Sequence, residues 1–258
     1  MSVYILALII GCLAGTLGAL LGISGGIIML PANQFILGLS PVAAVGTSLL
    51  ASIFTTSSGG YGHFRDGNVR LKSALLIGSG GLVGVLLGSH LFKTYLSDNT
   101  SILELLLGLL FLFMAFRMGL EVYRERQEKA PPSRIFRNPV PRQTLKLLLL
   151  GLLTGTMAGV FGIGGGFIMV PVLIWHFGAQ PYSAVGTTLL AMLPYTAIGG
   201  LIKLQQGFVN LPVAMLLGLG AIIGAQFGVV ISHKVKPFLF KLIFTLIFFY
   251  LAGQYLLF

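Results

Sequence analysis

Two glycine clusters hold the residues best suited to chemistry. Gly22-Ile23-Ser24-Gly25-Gly26-Ile27-Ile28-Met29-Leu30-Pro31 and Gly162-Ile163-Gly164-Gly165-Gly166-Phe167-Ile168-Met169-Val170-Pro171 each interrupt an apolar run and lead into a short helix-compatible stretch. Glycine lets the backbone break a helix, turn and restart. A restarted helix presents its first N–H groups without intrahelical acceptors, together with the positive end of its dipole. That combination receives an oxyanion without any buried lysine. The residues expected to line such a site are Gly22, Ser24, Gly25 and Gly26 in the first cluster and Gly162, Gly164, Gly165 and Gly166 in the second. Ser24 places a hydroxyl where the second cluster has Gly164, so the site need not be symmetric. The competing reading of the same glycines is close helix crossing.

Further polar residues stand on apolar stretches. Thr47 and Ser48, and their counterparts Thr187 and Thr188, could donate hydroxyls to an anion; the alternative is a bond back to their own helix carbonyls. Asn33, after Pro31, is a candidate cavity-lining residue. His63 and Lys203 are candidate gate or mouth cations, or cations snorkelling at helix ends. Glu104 lies one turn into its segment, and Asp66, Asp98, Glu121, Glu125 and Glu128 fall in or near loops, so an acidic ion relay at mid-membrane is not supported. One cysteine, Cys12, allows no internal disulfide, and four scattered histidines build no catalytic constellation. No cofactor, no metal site and no enzymatic activity are expected.

These residues are positioned by a repeat. At a constant offset of 140, Gly22 matches Gly162, Gly25 matches Gly165, Pro31 matches Pro171, Gly38 matches Gly178 and Pro41 matches Pro181. Ala44-Val45-Gly46-Thr47 recurs as Ala184-Val185-Gly186-Thr187, each followed by a hydroxyl residue and Leu-Leu-Ala. Each copy reads as five apolar segments: 2–21, 26–39, 41–60, 71–96 and 101–118, then 144–161, 166–179, 181–201, 211–232 and 238–257. Four of the five approach the ~20 residues that span a bilayer. The second would cover only about 20 Å as a helix, so it must be a half-helix buried in the protein.

A chain that is 56% hydrophobic and 9% charged, with a mean hydropathy of +0.97, is an all-α polytopic membrane protein. Its net charge of +10 does not imply nucleic acid, because the basic residues sit between apolar runs and report topology. The densest group, Arg117 to Lys146, belongs inside. That choice puts His63, Arg65, Arg70, Lys72, Lys234, Lys236 and Lys241 inside as well, and both termini outside. It also inverts the second copy against the first. Met1 to Leu21 lacks a basic n-region and a cleavage site, and is expected to stay as the first helix. Three parts follow: repeat 1 over 1–118, a basic cytoplasmic linker over 119–143, and repeat 2 over 144–258. Inverted repeats with broken helices are a transporter signature, worked by rocking one repeat against the other.

The twin glycine motifs, the twin Ala-Val-Gly-Thr segments, the chain length and the basic central loop resemble the sulfite exporter TauE/SafE family of membrane permeases. The resemblance covers essentially the whole chain. It implies export of small sulfur-containing anions, such as sulfite or an organosulfonate, across a prokaryotic plasma membrane. The expected partners are a small anionic substrate and the lipid bilayer, with monomer and homodimer both left open. An anion channel, or a permease for a different small anion or metabolite, uses the same helix-end chemistry.

Overall fold

The computed structural model of the protein describes residues 2–127, 141–232 and 238–257. Helices fill both halves: α1 (Ser2–Leu21), α2 (Gly26–Pro31), α3 (Pro41–Arg65), α4 (Leu71–Leu91) and α5 (Thr100–Gln127), then α6 (Pro141–Phe161), α7 (Gly166–Trp175), α8 (Pro181–Gln205), α9 (Leu211–Ser232) and α10 (Phe238–Leu257). The described residues contain no strand. Two helices run on as π turns, α2 through Ala32–Ile36 and α4 through Phe92–Leu96. Among the described residues seven helices are long and apolar enough to cross a membrane, which makes the chain an all-α polytopic membrane protein.

Local chemistry sets the helix ends. Pro41 and Pro181 open α3 and α8, where a missing N–H costs nothing. Ser40 caps α3 by accepting from the Ala43 N–H at 3.3 Å. Gly67 and Gly207, at φ of 74° and 79°, turn the chain out of α3 and α8 in the left-handed conformation that terminates helices.

The helices flanking the basic linker are longer than their apolar runs. Helix α5 continues nine residues past the expected limit of 118, to Gln127, and α6 starts at Pro141 rather than 144. Glu, Arg and Gln are good helix formers, so polarity alone does not stop a helix. Lys129, Arg134, Arg137, Lys234 and Lys236, on which part of the orientation rests, lie outside the described residues.

Each half packs against the other through glycine-bearing faces. A Cβ on Gly11 or Gly15 of α1 would run into the α9 backbone at Leu217 or Ala221, and one on Gly224 or Gly228 of α9 into the carbonyl of Cys12 or Thr16. The pair α4 and α6 repeats this, with Gly80, Gly84 and Gly88 on Leu148, Leu152 and Thr156. Small residues allow this approach where lipid gives no hydrophobic drive for association. In both pairs the residue numbers rise together, so the partners run parallel.

The corresponding helices α3 and α8 cross at the centre in the opposite sense. Gly59 faces Leu189 and Gly200 faces Leu50, while Thr56 Oγ1 meets Thr196 Oγ1 at 3.3 Å between them. Helices α5 and α10 are likewise antiparallel, with Gly108 beside Leu256 and Gly119 beside Thr245. Phe111 packs on Phe248 and Tyr255 there. Outward faces carry exposed Phe116, Leu246 and Phe249, the surface that lipid covers.

Candidate functional site

The two glycine clusters break the chain with left-handed residues at matching positions. Gly22, Ser24 and Gly25 have φ of 74°, 64° and 70°; Gly162, Gly164 and Gly165 have 72°, 78° and 86°. Among the described residues Ser24 is the one non-glycine at positive φ, a conformation that costs an L-residue about 1–2 kcal/mol. Its hydroxyl offsets that by donating to the Ile163 carbonyl at 3.0 Å, across to the other cluster. Gly25 and Gly165 are the residues preceding α2 and α7, so both short helices restart at the clusters.

The clusters touch each other. A Cβ on Gly26 would lie 2.9 Å from the Gly162 carbonyl oxygen, one on Gly166 would run into the Gly22 carbonyl, and one on Gly164 into the Ser24 hydroxyl. The starts of α2 and α7 therefore meet in the protein interior, backbone against backbone with the Ser24 hydroxyl beside Gly164. Ser24 is fully buried, and in this arrangement the contact is closed.

A buried hydroxyl face of α3 and α8 surrounds the contact. Ser52 Oγ would sit 2.6 Å from a Cβ on Gly26, and Thr55 Oγ1 3.0 Å from one on Gly25. Thr55 Oγ1 has no hydrogen-bond partner. At the position equivalent to Thr55, Tyr195 donates its hydroxyl to the Gly164 carbonyl at 2.6 Å. Ser52, Thr55 and Tyr195 escape a reading by residue type. The signal that finds them is helical spacing, since 48, 52, 55 and 56 share one face of α3 and the 140 offset carries that face to α8.

The polar residues expected from the sequence divide. Asn33 and Ser48 come together: the Asn33 amide donates to Ser48 Oγ at 2.9 Å, leaving the serine its own O–H, and Asn33 Oδ1 is unpartnered. Thr188 Oγ1 is buried without a partner. Thr47 and Thr187 stand elsewhere, as reciprocal ties. Thr47 Oγ1 accepts from the Asn210 N–H at 3.0 Å, and Thr187 Oγ1 accepts from the Arg70 N–H at 2.9 Å. Each fastens the loop before α9 or α4. None of these four hydroxyls bonds back to its own helix, unlike Ser52, Thr56 and Thr196. Thr47→Val and Thr187→Val should each cost about 1–3 kcal/mol by stranding a loop N–H. Because the ties lie at opposite ends of the bundle, the losses should add in the double variant, read as thermal midpoints in detergent.

His63 and Lys203 are not snorkelling. Both are fully buried, in the last turns of α3 and α8 and hence at opposite ends of the bundle. His63 Nε2 lies 3.0 Å from the Ala19 carbonyl oxygen, and Lys203 Nζ lies over the Phe92 ring. Glu104 accepts from the Gln34 amide at 3.3 Å. Among the described residues no group of three His, Cys, Asp or Glu side chains could hold a metal.

Comparison with known proteins decides the family. The model of the sulfite exporter TauE/SafE family matches residues 7–255. The chain belongs to the TauE/SafE family. Its TauE/SafE relatives include the probable membrane transporter protein YunE of Bacillus subtilis, 27% identical over 90% of both chains. A probable membrane transporter protein of Xylella fastidiosa strain Temecula1 is 33% identical over 88% of this chain and 84% of its own. Another, from the archaeon Methanocaldococcus jannaschii, is 27% identical over 90% and 87%. No solved structure matches the chain. The TauE/SafE chain is accordingly a multi-pass membrane transporter.

Proposed function

We propose that the protein carries small sulfur-containing oxyanions, sulfite or an organosulfonate, out of a prokaryotic cell across the plasma membrane. The observation that carries this reading is the meeting of two helix starts, α2 and α7, inside the protein. Each start supplies unpaired N–H donors and a partial positive charge. Ser24, Ser48, Asn33, Thr55 and Thr188 add buried polar groups. The family's name supports the substrate class, and bacterial and archaeal relatives support the membrane.

The antiparallel packing of α3 on α8 and of α5 on α10 supports inverted repeats, because equivalent elements related by an axis along the membrane normal would run parallel. The positive-inside rule then places the His63 end of the bundle in the cytoplasm and the Lys203 end outside. The closed contact between the clusters favours a carrier over a channel. An anion enters only when one half rocks away from the other, and the opposite mouth stays shut by the same geometry. Without a carboxylate relay among the described residues, the modes that fit are facilitated diffusion, exchange, or proton coupling through a histidine or the anion's own protonation. Purified protein in liposomes should move ³⁵S-labelled sulfite saturably and without single-channel currents. Unitary currents would select the channel, and no flux of sulfite, sulfoacetate or taurine would remove the substrate class.

A further inference from the structure

The glycine clusters do not explain Lys203. It is wholly buried in the last turn of α8, and its Nζ makes no hydrogen bond. Its neighbours are aromatic: Nζ lies 3.1 Å from the Phe92 ring centroid and 5.8 Å from that of Phe208. The two rings pack edge to face at 5.5 Å. Phe92 begins the π turn that ends α4, and Phe208 follows the left-handed Gly207 at the exit from α8. A ring face attracts an ammonium but supplies no negative charge, and a buried cation without a counter-charge is a functional-site signal.

The other half lacks this arrangement. The offset of 140 carries Lys203 to His63, Phe92 to Ser232 and Phe208 to Asn68. The opposite end of the bundle therefore has imidazole, hydroxyl and carboxamide where this end has a lysine Nζ against aromatic rings. His63 Nε2 has a carbonyl partner; Lys203 Nζ has ring faces and no hydrogen-bond partner.

We propose that Lys203 is the counter-charge for the transported oxyanion at the α8 end of the bundle. When that mouth opens, Phe92 and Phe208 part, and Nζ moves from the ring face to the anion's oxygens. An anion at this mouth pairs with a fixed cation that the other mouth does not match. The proposal rests on the anion-transport reading and adds to it a residue and a side.

The test is thermal unfolding of the full-length protein, Lys203→Met and Lys203→Arg, titrated with sodium sulfite, sulfate, thiosulfate and chloride at matched ionic strength. Wild-type protein should be stabilised by an oxyanion. Its apparent affinity should weaken about tenfold or more in Lys203→Met and be largely kept in Lys203→Arg. The anion-free midpoint of Lys203→Met should equal or exceed that of wild type, because a buried polar group without a hydrogen-bond partner has gone. Stabilisation unchanged in Lys203→Met overturns this proposal alone. A wild-type protein stabilised by none of the four anions overturns the anion reading together with it. Acetylation of Lys203 in the wild-type protein, followed by peptide mass spectrometry, needs no variant to fold. The stabilising anion should slow it severalfold, and an unchanged rate overturns the proposal.

Discussion

Gly25→Leu and Gly165→Leu proteins should insert into the membrane and lose sulfite flux to background. Both positions combine two constraints. Their φ values of 70° and 86° are left-handed, and a Cβ there would lie 2.9 Å from the Ala14 carbonyl oxygen or 2.7 Å from that of Thr154. A leucine therefore displaces the helix start from the hairpin that holds it. Gly67→Ala separates these constraints. Gly67 has a φ of 74° but open space around it, at a turn on the surface. It should lose about 1 kcal/mol of stability and keep its flux. If Gly25→Leu transported like wild type, the helix starts would not be the site. If Gly67→Ala lost flux equally, left-handed strain would explain the loss instead.

Closing one mouth covalently should stop transport in both directions. Phe92 and Phe208 lie in contact at the α8 end. Cysteines at both positions, with Cys12 replaced by alanine, place two thiols where a short thiol-to-thiol linker reaches. A cleavable linker should reduce flux to background, and its cleavage should restore the flux of the same preparation. That comparison removes any effect of losing the rings themselves. Undiminished flux in fully linked protein would show that this mouth need not open, against rocking of one half on the other.

The two halves and their broken helices were legible because local signals carry them. Gly22–Gly26 and Gly162–Gly166 recur at one offset, and the stretches after them are too short to span. Helix partners were not legible. Gly11, Gly15, Gly220 and Gly224 announce a close approach, yet nothing in either stretch says that α1 meets α9 rather than α4. Pairing between distant helices is decided by the whole assembly. The same limit applies to the site. Thr47 and Thr187 are polar on apolar helices, which the sequence shows, but their acceptance of the Asn210 and Arg70 N–H groups from distant loops is visible only in the fold. Ser52, Thr55 and Tyr195 looked ordinary, and only the fold puts them beside Gly25, Gly26 and Gly164. Lys203 reads from the sequence either as a mouth cation matched to His63 or as a cation snorkelling at a helix end. Its burial under Phe92 depends on a π turn that composition does not announce.

The claim on which all of this depends is that a small oxyanion binds where the two helix starts meet. Selenite has the shape and charge of sulfite, and its selenium scatters anomalously. Crystals of protein with ordinary methionine, grown with selenite, should give an anomalous peak within hydrogen-bonding reach of Gly22–Gly26 and Gly162–Gly166. A selenium peak confined to another part of the bundle, in protein that transports sulfite and is inhibited by selenite, would contradict the account.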